Sequence, residues 1–132
     1  MPGVVYGCFK RACMRGEINL EKDALRCMLA TAEYKPDAAD DAAARIPEVE
    51  GKGYREGGKR LTGCRVAEGG DDGAFHADDL EWPDATIAAR WAVVYRGGDG
   101  LLVACVSLGG EVSSNNGPFR VAWDKDGIFT LS

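Results

Sequence analysis

The single histidine of the 132-residue chain, His76, lies between two acidic pairs, Asp71-Asp72 and Asp78-Asp79. One imidazole and several carboxylates are donor types that can hold a divalent ion, and they are also the material of general acid–base chemistry. The spacing argues against both. Neighbours in an extended chain point to opposite faces, so each pair presents one carboxylate per side. No calcium-loop spacing is present, and a solvated acidic turn accounts for the segment. Any Ser-His-Asp or Cys-His site would have to use His76, and no G-x-S-x-G elbow places a serine. A carboxylate pair can hydrolyse a glycoside, but the acidic residues are abundant and nothing singles out two of them. A small hydrolase would therefore depend on His76 or an unmarked carboxylate pair. The sequence predicts no enzyme, no catalytic residues, no metal site and no cofactor.

Gly53-Tyr54-Arg55-Glu56-Gly57-Gly58-Lys59-Arg60 satisfies G-x-x-x-x-G-K. A phosphate-binding loop needs Ser or Thr where Arg60 stands, and it opens a helix, whereas Leu61 to Val66 reads as a strand. Coincidence in a glycine-rich chain explains the match. The five cysteines, Cys8, Cys13, Cys27, Cys64 and Cys105, are odd in number and form no C-x-x-C pair. They read as buried thiols in a reducing compartment. Trp82, Trp91, Tyr95, Phe119, Trp123 and Phe129 could stack on a sugar, but their places in alternating strands favour core packing.

The elements that carry these residues fall into four sections. Tyr6 to Arg15 has helical spacing and stops at Gly16. Ile18 to Tyr34 is ambiguous: Leu25, Met28 and Leu29 fit a helix, Leu25, Cys27 and Leu29 fit a strand, and propensity favours the helix. Pro36 to Gly70 is a surface excursion. It has a helix of two or three turns expected over Asp37–Arg45, a loop around the glycines at 51, 53, 57 and 58, a strand over Leu61–Val66, and a turn at 68–73. The remainder is sheet, with strands near 74–82, 86–96, 101–108, 118–124 and 128–131. In 119–124, Phe119, Val121 and Trp123 share one face. The Asp126-Gly127 pair that follows predicts a hairpin with 128–131. The polar loop 113–118 is exposed.

The balance of 21 acidic and 16 basic residues gives −5, with the basic residues scattered, which disfavours a nucleic-acid backbone as partner. The start, Met1 to Gly7, lacks a basic n-region and a long apolar h-region. The longest apolar run, Leu101 to Val106, falls far short of the roughly 20 residues a membrane span needs. A soluble protein made in a cytoplasm is expected, with no membrane partner. No repeat or linker divides the chain, so 1–132 reads as one domain. It is mainly β, an antiparallel β-sandwich or barrel with one or two short helices.

The order of short signatures adds to this. Tyr6-Gly7-Cys8-Phe9-Lys10, Gly16-Glu17-Ile18-Asn19-Leu20, Ala24 to Thr31 and Tyr34-Lys35-Pro36-Asp37 are followed by Glu48 to Tyr54, Gly57 to Leu61 and Asp78 to Trp82. Thr86 to Tyr95 and Trp123 to Ile128 complete the succession. It resembles a family of small virion structural proteins of tailed bacteriophages, over nearly the whole chain. The resemblance implies a mainly β, non-enzymatic virion component without a cofactor. It also implies a strand over Ala24–Thr31, where related chains carry β-branched residues and this one has Arg26, Cys27 and Met28.

Within a virion, the chain is too short for an HK97-type shell subunit and lacks the heptads or repeats of a long fibre. A compact, acidic, β-rich domain fits a capsid decoration (cementing) protein on the head exterior. Its partner would be the major capsid protein of an HK97-type shell, bound across capsomer junctions by a homo-oligomer, with a trimer favoured. The alternative is a tail, neck or head-fibre component, which could bind host glycans. In the first case Val4, Val5, Tyr6 and Phe9, in a contact arm over 1–9, are the expected capsid or subunit contacts. Packing of that segment on its own core is the competing reading. The 113–118 loop and the Gly51–Lys59 loop are the next candidates.

Overall fold

The apolar runs either side of the Gly97–Gly100 turn form two long antiparallel strands, and the rest of the molecule is built around them. The computed structural model describes residues 3–69, 72–125 and 127–131. Its elements are β1 (Gly3–Val5), α1 (Gly7–Met14), β2 (Leu25–Ala30), a 3-10 turn (Ala43–Arg45), β3 (Lys59–Arg60), β4 (Arg65–Gly69) and β5 (Asp72–His76). They continue with β6 (Leu80–Ala85), β7 (Ala88–Arg96), β8 (Leu102–Ser113), β9 (Gly117–Val121) and β10 (Phe129–Leu131). A five-stranded sheet runs β1-β8-β7-β2-β3, a three-stranded sheet β10-β5-β4, and β6 pairs with β9. The pairings are antiparallel. The fold is mainly β and sandwich-like, as the strand-and-turn pattern predicts.

The five-stranded sheet is covered on both faces. Cys27, Leu29, Ala92, Val94 and Val106 point into one cluster, with Phe75, Leu80, Trp82, Phe119, Val121 and Ile128 from the smaller sheets. Met28, Ala30, Val93, Tyr95, Leu102 and Cys105 point the other way, under Tyr6, Tyr34 and Ile46. Burial on two faces explains why β2 is a strand despite a composition that favours helix. It pairs with β7 along its whole length, from Leu25↔Arg96 to Ala30↔Trp91. Each apolar side chain so buried contributes about 1.5–3 kcal/mol, more than the few tenths per residue that helix propensity offers.

Several expectations are corrected. Over 37–45 the only helical element is the 3-10 turn. Asp37 Oδ1 accepts the Ala39 N–H at 2.9 Å and Asp40 Oδ2 accepts the Asp37 N–H at 3.2 Å. Short acidic side chains that bind the local backbone compete with a helix, and so short a helix is marginal alone. Strands 118–124 and 128–131 form no hairpin, because β9 pairs with β6 and β10 with β5. After Val121 the Trp123 N–H donates to Asp79 and its indole N–H to the Asp78 carbonyl, which takes the chain out of the β9 ladder. Asp126 lies outside the described residues, as do Gly70 and Asp71 in the expected turn at 68–73. Residues 61–66 divide between loop and β4, and 74–82 between β5 and β6. β8 continues to Ser113 through a bulge in which Leu108, Gly109, Gly110 and Glu111 stand opposite the single residue Arg90.

Candidate interaction surfaces

Residues 3–9 of the expected contact arm are docked rather than loose, while residues 1–2 lie outside the described residues. β1 pairs with β8 through Gly3↔Val106, Val4↔Cys105 and Val5↔Ala104. Tyr6 and Phe9 are both 0% exposed. The Tyr6 and Tyr34 hydroxyls lie 2.6 Å apart, and Tyr34 donates to Asp40 at 2.8 Å. Burial, then the bond to Tyr34, pushes the Tyr6 phenol well above the ordinary tyrosine range. Cys105, in the same cluster, is pushed up to about 12 by burial. For Tyr6 and Phe9 the core-packing reading is therefore the one the fold follows, and the segment 3–9 is no free arm. Val4 and Val5 are half-buried and line open clefts. One cleft, of about 280 Å³, lies between β1 and the Gly127–Thr130 stretch. The other, of about 330 Å³, adjoins Pro36, Arg90 and Trp91.

The two other candidate loops are brought together. The Thr86 N–H donates to the Lys52 carbonyl at 2.9 Å, and the Thr86 hydroxyl accepts the Asn116 N–H at 2.9 Å. The Ser114 hydroxyl donates to the Ala85 carbonyl at 2.8 Å. Thr86, at the end of β6, thus latches 51–53 to 114–117. Close approach is possible because a Cβ at Gly53 would lie 2.1 Å from the Asp84 carbonyl oxygen, and Gly53 holds φ +84°. Lys52, Thr86, Asn115 and Asn116 are all exposed, and the result is one polar platform with a hydrogen-bonded backbone. Spacing alone could not reveal it, since Lys52 and Asn116 are far apart in the chain.

The remaining polar candidates are dispersed. His76 is half-buried on β5 opposite Arg65. Asp78 accepts a bond from the Thr62 hydroxyl at 3.2 Å, and Asp79 pairs with Arg120 at 3.3 Å. Among the described residues no three His, Cys, Asp or Glu side chains gather as a metal site would require. The G-x-x-x-x-G-K segment folds as a loop entering β3, with no helix after it. Cys27 and Cys105 are buried, Cys8 and Cys64 are partly buried, and Cys13 is exposed. Trp82 and Phe119 pack in the core, 6.3 Å apart in an edge-on contact. No helix among the described residues is long and apolar enough to cross a membrane. No protein-family model, curated protein or solved structure matches the chain.

Proposed function

We propose that the chain is a non-enzymatic virion structural protein of a tailed bacteriophage. In this reading it is a capsid decoration protein that binds the major capsid protein across capsomer junctions as a small homo-oligomer on the head exterior. The family resemblance in the sequence motivates the reading. The observation that carries it is the Thr86-latched platform, two exposed loops held in one arrangement before any partner arrives. Preorganisation removes the entropy of ordering loops on binding, which matters most where each contact is modest. An oligomer that touches several shell subunits then multiplies those contacts through effective concentration. A net charge of −5 suits the outside of a DNA-filled shell, within a screening length of about 8 Å at physiological salt.

The test is a cryo-EM reconstruction of the virion that carries this gene, with copy number from quantitative mass spectrometry. It is paired with retention of a Lys52→Glu/Asn115→Arg variant on particles. Density at capsomer junctions, hundreds of copies, and a variant that folds yet washes off the particle are expected. Density confined to tail, neck or vertices, with few copies, would overturn the decoration role in favour of a fibre or connector.

A further inference from the structure

The edge strand β3 carries an arrangement that the isolated chain leaves uncompensated. Arg60 stands directly across from Arg26 of β2. The neighbouring Leu61 N–H donates to the Leu25 carbonyl at 2.9 Å, so Arg26 and Arg60 form the non-hydrogen-bonded pair of this short ladder. Two consequences follow. The side chains share a face at the closest cross-strand spacing, about 4.5 Å between Cα atoms, where like charges oppose folding. The backbone N–H and C=O of Arg60 also point outward from the sheet edge.

The surroundings do not neutralise the pair. Arg26 donates to the Gly58 carbonyl at 2.9 Å and the Gly57 carbonyl at 3.4 Å, which fixes its guanidinium at the loop. Glu48, the carboxylate on that loop, is occupied by the Tyr54 hydroxyl and the Gly57 N–H. Asp78, which shares the Cys64 environment with Arg60, is bonded by Thr62 and makes no ion pair with Arg60. Among the described residues neither arginine has a carboxylate within salt-bridge distance. Exposed Arg55 lies just before the same turn.

We infer that the Arg26–Arg60 edge receives a carboxylate from a second copy of this chain. Charge distribution points to that occupant. Residues 52–65 hold Lys52, Arg55, Lys59, Arg60 and Arg65 against Glu56, a net +4 in a chain of −5, which leaves −9 on the rest. The rest of another copy is thus net acidic and complements this edge in charge. The exposed Arg60 guanidinium and its outward backbone N–H match the lone pairs of one carboxylate, with the Arg26 charge on the facing strand. A basic edge that meets an acidic surface elsewhere on the next copy is a heterologous contact, which closes into a ring where the rotation between copies closes and extends into a filament where it does not. The inference rests on the homo-oligomer of the proposed function but can fail without it.

Sedimentation equilibrium of the full chain, as wild type, Arg60→Gln, Arg60→Glu and the exposed control Lys22→Glu, tests this. Wild type should self-associate more weakly as salt is raised. Arg60→Gln should raise Kd at least tenfold, equivalent to about 1.4 kcal/mol. Arg60→Glu should be monomeric with an unchanged circular dichroism spectrum, and Lys22→Glu should behave as wild type. A monomeric wild type, or association of Arg60→Glu equal to that of Lys22→Glu, would overturn the inference. If a monomeric wild type still binds particles, the decoration role survives and only this inference falls.

Discussion

Cys105 and Tyr6 occupy one buried cluster, and both resist losing a proton. Tyr6, Tyr34 and Tyr54 are all raised above the ordinary phenol value, first of all by burial. Cys105 moves from an ordinary 9.0 to about 12 for the same reason. These groups keep their protons in the folded chain at a pH where the unfolded chain has lost them. Their contribution to stability is complete below the unfolded values and is lost as pH rises through the folded ones. Stability against urea should therefore stay level to about pH 9 and fall between 9 and 12. Tyrosinate absorbance should appear with unfolding rather than ahead of it for the buried share. A smooth tyrosine titration that leaves the fold intact would contradict this. None of it was readable from local sequence, because the partner that buries the Tyr6 hydroxyl is 28 residues away. His76, by contrast, is placed by a local feature, the β5 strand, where it stands opposite Arg65.

Among the elements, those whose pattern is local were legible. The β7 and β8 strands announce themselves by apolar runs around a glycine turn, where Gly98 and Gly100 adopt φ +101° and +74°. Helix α1 was visible from Tyr6, Phe9 and Cys13 at helical spacing. β2 was not legible from propensity, because its preference is imposed by neighbours on both faces. The β9–β10 hairpin was misread since an Asp-Gly pair signals a turn but not which strands then pair. The latch at Thr86 belongs to this scale, and it is the feature that keeps two loops in one platform. Thr86→Val keeps the shape but removes the hydroxyl that accepts the Asn116 N–H at 2.9 Å. A loss of about 1 kcal/mol is expected, the net value of one such hydrogen bond. Amide exchange at Asn116 should accelerate while exchange within β7 and β8 stays slow, and particle retention should weaken in step. Unchanged exchange at Asn116 would mean that the backbone turn, where Asn116 itself holds φ +51°, suffices without the latch.

At the scale of the molecule the question is whether the two apolar clusters can melt separately. They share a wall. In β2, Cys27 and Leu29 belong to one cluster while Met28 and Ala30 belong to the other, and in β7 Val94 and Val93 divide in the same way. Losing either cluster strips one face of β2 and β7, and a two-face strand exposed on one side has no polar alternation with which to meet water. The docked N-terminus adds a second tie, since β1 sends Val5 to one cluster and Val4 to the other, and Phe9 and Tyr6 follow suit. Unfolding in urea should accordingly be a single transition. Trp82 reports on the first cluster and Trp91 on the second, so single-tryptophan variants should give coincident midpoints with far-ultraviolet circular dichroism. Deletion of residues 2–9 should collapse both reporters together, because it removes Tyr6 and Phe9 from the two clusters at once; truncations of a large buried aromatic alone cost about 3–5 kcal/mol. Separate midpoints, or a deletion variant that retains its fold, would show that the shared sheet does not couple the faces. The N-terminal segment would then again be available as an arm for a partner.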